Sequence, residues 1–235
     1  MVIFGDLCPE AEQMLFQRLG ATPMPGKDAA PGLGGTGSLL PVCRPATPIE
    51  LRIPGKHNQA NAACVLTVCR AMGFDEETTR SALASFSGLP HRIQFVRTID
   101  GVDYFNDSKS TAPSATMVAV ESFDRPIVAM IGGQKKDVAL SAFCETLVRS
   151  CRAVVCVGEC GASFAQAVRS VAAGETHARR TVVHRVQRLE DGLQLARHEA
   201  RPGDVVLFSP GAPSFDGYAN FTQRGDHFMR IVQSL

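Results

Sequence analysis

The 235-residue sequence has no tryptophan, two tyrosines and only five lysines among its 24 basic residues. No apolar run approaches the ~20 residues that a membrane-spanning helix needs, so we expect no membrane contact. The formal net charge of +1 gives no electrostatic reason to bind nucleic acid. Residues 1–6 lack the basic segment of a secretory signal. These absences together predict a cytoplasmic protein without nucleic-acid or membrane partners.

The eight cysteines include no Cys-x-x-Cys pair, and several of them lie in apolar runs, such as Cys64, Cys69 and Cys156. Free cysteine is among the most buried residue types, and disulfides are rare in cytosolic proteins, so we expect reduced, buried thiols. Cys156 and Cys160 are close enough in sequence to suggest a metal pair, but no second pair has matching spacing. We therefore predict no metal site within this chain.

The pattern from residue 93 onward alternates apolar segments with amphipathic ones. Such an alternation predicts a parallel sheet covered by helices on both faces, which is a Rossmann-like doubly wound α/β fold. Asp100-Gly101 predicts a hairpin between the first two strands. The predicted strands are 93–99, 102–105, 126–131, 153–157, 181–184 and 204–208, and the predicted helices are 113–123, 139–150, 162–173, 189–200 and 218–234.

The part before residue 90 has a different character. Residues 1–50 are rich in glycine and proline and read as irregular, although residues 8–19 are consistent with a short helix. Residues 49–53 alternate as a half-buried strand does. Helices are predicted at 55–73 and at 76–86, the second capped by Asp75. Pro90 breaks the helical pattern, so we expect a domain boundary there.

Three predicted strand ends carry residues suited to an anionic ligand: 106–111, 132–137 and 209–216. The first contains Lys109 among short hydroxyl side chains, the second joins two glycines to Lys135 and Lys136, and the third is a polar turn before a helix. The carboxyl ends of parallel strands meet at one sheet edge, and lysines and helix N-termini attract anions. We predict a site for a small anionic substrate and a phosphate-bearing one. For residues 106–111 alone, a helix cap in a surface loop is an equally good interpretation.

Two further features suggest nucleotide contacts. Asn58 and Asn61 share one face of a helical turn, and a carboxamide offers the donor and the acceptor that match an adenine edge. The alternative is that one asparagine merely caps the helix. Arg92 lies at the predicted domain boundary, where it is suited to clamp a phosphate. For a lone arginine, however, a surface position is the usual explanation.

Six motifs are recognisable by their order and spacing: Gly55-x-His57-Asn58-x-x-Asn61, Gly88-Leu89-Pro90-His91-Arg92, Asn106-Asp107-Ser108-Lys109-x-Thr111, Gly132-Gly133, Leu207-x-Ser209-Pro210-x-x-x-Ser214-x-Asp216 and Asn220-Phe221-x-x-Arg224-Gly225. Together they resemble the Mur ligase family over about residues 51–235, most closely the members that add D-glutamate. The resemblance implies that residues 1–88 are the remnant of a central ATP-binding domain and residues 89–235 a C-terminal, amino-acid-binding domain.

The resemblance also implies an activity in peptidoglycan synthesis. Such ligases use ATP and Mg²⁺ to phosphorylate the carboxylate of UDP-N-acetylmuramoyl-L-alanine, and the amine of D-glutamate then attacks the acyl phosphate. We expect these small-molecule substrates and a monomer. By resemblance, ATP contacts fall to Asn58, Asn61, Arg92 and Asp107, catalytic roles to Lys109 and Lys136, and D-glutamate contacts to Lys109, Thr111, Lys136, Ser214, Phe215 and Phe221.

The sequence also departs from the family pattern. The phosphate-binding pattern Gly-x-x-x-x-Gly-Lys-Ser/Thr occurs nowhere in it, and the UDP-binding domain and the magnesium-holding residues have no counterpart. Gly211 and Pro213 stand where the family has alanine, and Lys135 stands where it has a small residue. We therefore expect the truncated end of a central domain plus a complete C-terminal domain, with the magnesium ligands elsewhere and no ligase activity for the chain alone.

Three functions remain open at this point. The chain is part of a D-glutamate-adding ligase, or a non-catalytic homologue that binds a nucleotide and an amino acid, or part of a ligase acting on another muramoyl peptide or on folate. The sequence Ser214-Phe215-Asp216 favours the first.

Overall fold

The computed structural model describes residues 2–3, 39–40, 48–134, 140–174 and 181–235. The chain divides into two compact units. The first unit is Met1–Arg52 with Lys56–Ser87, and the second is Ile53–Gly55 with Gly88–Leu235. Across the described residues, no helix is long and apolar enough to cross a membrane. The helix predicted at 8–19 lies outside the described residues, and the functional roles of the two parts stay predictions.

The described part of the first unit consists of two very short strands and two helices. The strands pair antiparallel, so part of the stretch predicted to be irregular has regular structure. Asp75 caps the second helix as predicted, because its carboxylate accepts a hydrogen bond from the backbone N–H of Thr78 at 2.8 Å. The elements are β1 (Val2–Ile3), β2 (Leu39–Leu40), α1 (Lys56–Ala71) and α2 (Glu76–Ser85).

The strand predicted at residues 49–53 is wrong. Ile49 is buried, but it packs against Ala62 and Leu66 of α1 rather than against a neighbouring strand. The Gln59 side chain donates to the carbonyl of Ile49 at 2.8 Å. A strand needs a partner ladder for its backbone groups, and here a helix side chain supplies the partner instead.

The second unit is a six-stranded sheet covered on both faces, which confirms the predicted doubly wound α/β fold. The strand order is β3-β4-β8-β5-β6-β7. Strands β3 and β4 pair antiparallel through the predicted hairpin, and all other neighbours are parallel. The elements are β3 (Gln94–Ile99), β4 (Val102–Asn106), α3 (Pro113–Val120), β5 (Ile127–Gly132), α4 (Ser141–Ser150), β6 (Cys151–Val157), α5 (Gly161–Gly174), β7 (Val182–Arg185), α6 (Leu189–Glu199), β8 (Val205–Phe208) and α7 (Phe221–Gln233).

The central strands are buried on both faces. In β5, Ile127 and Ile131 contribute to the core beneath α3, α4 and α5, whereas Val128 and Met130 contribute to the core beneath α6 and α7. Alternate side chains of a strand point to opposite faces, so one apolar run serves two cores. Every predicted element of this unit is present, with ends that differ from the prediction by at most three residues.

Candidate functional site

Three loops meet at the carboxyl edge of the sheet, where the sequence predicted them. We name them the lysine loop (106–111, after β4), the glycine loop (132–134, after β5) and the serine loop (209–216, after β8). These strands are neighbours in the order β4-β8-β5. The loops bond to one another directly: the N–H of Gly211 donates to the carbonyl of Ser110 at 2.9 Å, and the N–H of Gln134 to the carbonyl of Pro213 at 2.8 Å. The three loops therefore form one connected surface.

The buried side chain of Asp107, a residue of the lysine loop, binds this loop to the serine loop. Its side chain is only 2% exposed. One carboxylate oxygen accepts from the hydroxyls of Ser110 and Ser209, each at 2.6 Å, and the other accepts from the backbone N–H of Ile93 at 3.1 Å. Burial raises the pKa of Asp107, and the hydrogen bonds and the charge of Arg92 oppose that shift. Both oxygens are thus engaged within the chain, and the ATP contact predicted for Asp107 stays a prediction.

Arg224 joins the same two loops from the side of α7. Its side chain is buried and donates to the hydroxyl and the carbonyl of Ser108 at 3.0 and 2.9 Å. It also donates to the carbonyls of Ala212 and Pro213 at 3.0 and 3.1 Å. Burial lowers the pKa of Arg224 to about 10. Arg224 belongs to the motif Asn220-Phe221-x-x-Arg224-Gly225, but no role was predicted for it, because the sequence does not show which arginines are buried.

Lys109 and Phe221 lie close together, as the resemblance implies. Lys109 is exposed, and its Nζ lies 5.8 Å from the centroid of the Phe221 ring. Its backbone N–H donates to the carbonyl of His91 at 3.1 Å, and the hydroxyl of Ser108 donates to the carbonyl of Phe221 at 2.8 Å. Thr111, at the end of the same loop, is also exposed. A lysine with a fixed backbone and an exposed ammonium is arranged to meet an anion.

The serine loop places its two predicted site residues differently. Ser214 is buried, and its carbonyl accepts from the N–H groups of Gly217 and Tyr218 at 3.2 and 3.0 Å. Phe215, the next residue, is 66% exposed. The turn therefore presents an aromatic ring at the surface. Lys136 and its neighbour Lys135 lie outside the described residues.

The predicted nucleotide contacts fall in different units. Asn58 and Asn61 lie in the first turns of α1, in the first unit, with Asn61 exposed and Asn58 half-buried. Arg92 and Asp107 belong to the second unit, where Arg92 is exposed. The contact of each pair with ATP stays a prediction.

Two glycines allow close packing around Arg224. A Cβ on Gly133 would lie 2.3 Å from the carbonyl oxygen of Pro213 and 2.9 Å from Nη1 of Arg224. A Cβ on Gly225 would lie 2.3 Å from Nδ1 of His91. His91 is itself buried, and its Nδ1 lies 3.0 Å from the Asn106 carboxamide. A larger residue at position 133 would push the glycine loop away from the serine loop, and one at position 225 would push α7 away from His91.

Two cavities border this edge. The smaller, of about 30 Å³, is lined in part by Thr111, Gln134 and Phe164. The larger, of about 310 Å³, lies beside α6 and α7, and Lys109, Ser214 and Phe215 do not line it. There the Tyr218 hydroxyl is 2.8 Å from Nδ1 of His227, whose Nε2 is 3.3 Å from Glu190. The larger cavity is therefore adjacent to the predicted amino-acid site and does not coincide with it.

Within the described ranges, no three His, Cys, Asp or Glu side chains are grouped so that they could hold a metal ion. The thiols of Cys156 and Cys160 are buried, and burial raises their pKa to about 12 and about 11. A metal-binding thiol is instead deprotonated. These two cysteines are core residues beneath α4 and α5.

Residues 91–211, more than half of the chain, match the sequence profile of the Mur ligase glutamate ligase domain. Two relatives are UDP-N-acetylmuramoylalanine–D-glutamate ligases. The protein of Salinibacter ruber is 40% identical over 188 residues, and that of Pelotomaculum thermopropionicum is 36% identical over 186 residues. Each alignment covers 79% of this chain and 39% of the relative. The chain thus spans about two fifths of the length of these relatives.

Solved structures share the fold. The UDP-N-acetylmuramate-alanine ligase of Thermotoga maritima superposes with a TM-score of 0.58 at 18% identity, over 78% of this chain and 39% of that one. The bifunctional folylpolyglutamate synthase/dihydrofolate synthase of Yersinia pestis superposes with a TM-score of 0.54 at 16% identity, over 78% of this chain and 40% of that one. The profile match, together with a doubly wound sheet whose loops carry the expected motifs, shows that this chain belongs to the Mur ligase family.

Proposed function

We propose that this chain is the C-terminal portion of an ATP-dependent UDP-N-acetylmuramoyl-L-alanine:D-glutamate ligase, a monomer that acts in peptidoglycan synthesis in the cytoplasm. Its second unit would hold the D-glutamate. The observation that carries this proposal is the meeting of the lysine and serine loops at one sheet edge, with an exposed Lys109 near the Phe221 ring. The relatives named as D-glutamate ligases support the choice of amino acid.

In the proposed reaction, a phosphoryl group activates the muramoyl carboxylate, and the amine of D-glutamate attacks the resulting acyl carbon. Phosphate leaves, the amine loses a proton, and an amide forms. The amine must be held at the right distance and angle, which requires that the carboxylates of D-glutamate be fixed. The Lys109 ammonium is suited to pair with one of them, and the Thr111 hydroxyl can donate to it. Phe215 would limit the site on the serine-loop side. For Lys136 we propose the catalytic role and the D-glutamate contact that the resemblance implies.

ATP supplies the phosphoryl group in this scheme. Asn58 and Asn61, one helical turn apart on α1, fit the donor-and-acceptor edge of an adenine. Arg92 is exposed and cationic, which suits a phosphate. Asp107 fits an ATP ribose less well, because it is 2% exposed and both of its carboxylate oxygens already accept hydrogen bonds within the chain. We therefore propose that Asp107 acts mainly by holding the two loops together.

Solved folylpolyglutamate synthases of the same fold, complexed with ADP in one case and with AMPPNP and a Mn ion in another, support nucleotide use by the whole protein. Mg²⁺ would support phosphoryl transfer there. The described residues offer no cluster of acidic or histidine side chains that fits Mg²⁺, so we assign its ligands to no residue of this chain.

A second candidate is a non-catalytic module that binds a nucleotide and an amino acid. The observation that favours it is the absence of the phosphate-binding pattern Gly-x-x-x-x-Gly-Lys-Ser/Thr from the sequence. On either candidate, the 235-residue chain alone should release no phosphate from ATP when given both substrates. Phosphate release by the purified chain would contradict both.

A chimaera separates the two candidates. Residues 51–235 would replace the aligning segment of the Salinibacter ruber ligase, which supplies the rest of the enzyme. We expect phosphate release that requires ATP, the muramoyl substrate and D-glutamate, with L-glutamate far less effective. The parent ligase is the positive control. A folded chimaera that binds ATP but shows no amino-acid-dependent release would reject the ligase assignment and favour the binding module.

A further inference from the structure

We propose that Arg224 is a positioning residue for the D-glutamate site, and that its guanidinium holds the lysine and serine loops in the arrangement that the amino acid requires. This inference rests on the proposed function. Arg224 does not itself have to touch the substrate. It would act through Lys109 and Ser214, which are the chain neighbours of two residues that accept its hydrogen bonds.

Arg224 connects the lysine loop to the serine loop. Arg224 lies in the first turn of α7, three residues after Phe221, and reaches two loops that leave different strands. It bonds to Ser108, the neighbour of Lys109, and to Pro213, the neighbour of Ser214. One planar side chain thus fixes the residues adjacent to both proposed contact points. A shift of either loop would move Lys109 relative to Phe215.

The buried guanidinium is poorly explained as a residue that stabilises the core. It is 3% exposed, and its four acceptors are a hydroxyl and three backbone carbonyls, all of them neutral. Burying a cation without a directly bonded carboxylate is costly. That cost is visible in the lowered pKa of Arg224. An apolar side chain would fill the space at less cost, but it would not bridge the loops.

The planar shape of the guanidinium suits a bridge between two loops. The guanidinium offers five N–H donors in a rigid plane, whereas a lysine ammonium is a compact charge on a flexible stem. Here Nε and Nη2 point to Ser108, and Nη1 points to Ala212 and Pro213. Gly133 leaves room for Nη1, since a Cβ there would lie 2.9 Å from it. A lysine at position 224 would keep the charge and lose the two-sided bridge.

The test uses the full 235-residue chain and two readouts. The first is amide hydrogen exchange at Lys109 and Ser214 without ligand. The second is D-glutamate affinity, measured by titration calorimetry with L-glutamate as the reference. The variants are Arg224→Met, which removes the bridge and the buried charge, and Arg224→Lys, which keeps the charge. Arg230→Met is the matched control, because Arg230 lies on the same helix and is exposed.

We expect both Arg224 variants to remain folded, to exchange faster at the two amides and to bind D-glutamate about tenfold to a hundredfold more weakly. Arg230→Met should match the parent chain. For Arg224→Ala, millimolar guanidinium should restore part of the affinity, whereas it should not do so for Lys109→Ala. That rescue would distinguish a positioning role from a general loss of stability.

Unchanged amide exchange in Arg224→Met would overturn the inference, whatever the affinity. Faster exchange with unchanged D-glutamate affinity would also overturn it, because the bridge would then not position the amino acid. If the parent chain shows no preference for D-glutamate, the proposed function fails, and the role of Arg224 toward this amino acid fails with it. The exchange data would still record whether Arg224 joins the loops, so the two failures are distinguishable.

Discussion

Replacing Asp107 with alanine should destabilise the second unit measurably. The substitution removes the acceptor of three hydrogen bonds, from the Ile93 N–H and from the hydroxyls of Ser110 and Ser209. The Ser209 hydroxyl can turn to Thr116 Oγ1, which lies 3.0 Å away, so two buried donors lose their partners. Each costs about 1–3 kcal/mol. The alanine variant no longer buries a carboxylate, and this gain offsets part of the lost stability. We expect a net decrease of about 2–3 kcal/mol in the free energy of unfolding.

Asp107→Asn is the matched control. The carboxamide keeps an oxygen for the Ile93 N–H, and its NH₂ group can donate to a serine hydroxyl that turns to accept. We expect a loss of about 1 kcal/mol, as for one altered hydrogen bond. Urea unfolding followed by circular dichroism measures both values.

The dependence on pH gives this prediction a sign. Burial raises the pKa of Asp107, so the folded state holds its proton to a higher pH than the unfolded state does. The stability that Asp107 contributes is fully present below its unfolded pKa of about 3.9 and is lost as pH rises through the raised folded value. The stability gap between the parent chain and Asp107→Asn should therefore be largest in acid and narrow toward neutral pH. A gap that widens with pH, or an alanine variant as stable as the parent, would refute the reasoning.

Three further predictions concern other residues. In the chimaera, Lys109→Ala should raise the KM for D-glutamate or lower kcat about ten- to a hundredfold, with the ATP KM and the melting temperature nearly unchanged; unchanged glutamate kinetics would make Lys109 a solvated loop residue. Gly225→Ala should destabilise the chain by about 1–3 kcal/mol, because its Cβ would meet His91, whereas Gly217→Ala, with nothing within 4 Å, should not. Burial raises the pKa of four thiols to between about 11 and about 12: Cys144, Cys151, Cys156 and Cys160. These thiols should resist iodoacetamide at mildly alkaline pH until the chain unfolds, and peptide mass spectrometry measures their modification.

The fold was largely predictable because its signals are local and repeated. Six apolar segments alternate with amphipathic ones, and that alternation admits few topologies. The strand predicted at residues 49–53 was wrong for a non-local reason: the same alternation arises where an extended segment packs against a helix, and Ile49 does this. Periodicity alone does not reveal which partner the backbone will find.

The site was predictable only in outline. The loops at the ends of β4, β5 and β8 were expected to converge, because parallel strands place their carboxyl ends at one edge. The bonds that hold these loops were not, since Asp107 reaches Ser209 and Arg224 reaches Ser108 across about half the chain. Such pairs depend on strand register and helix docking, which no local pattern encodes. The roles of individual residues toward D-glutamate came from the resemblance, and they stay predictions.

The most direct measurement of the central claim is an amide NMR titration of the ¹⁵N-labelled 235-residue chain with D-glutamate, with L-glutamate as the reference. If the lysine and serine loops form the amino-acid site, the amides of Lys109, Thr111 and Ser214 should shift saturably with D-glutamate, much less with its mirror image, and not in Lys109→Ala. Shifts confined to the larger cavity, at Tyr218 and His227, or equal responses to both enantiomers, would contradict the account.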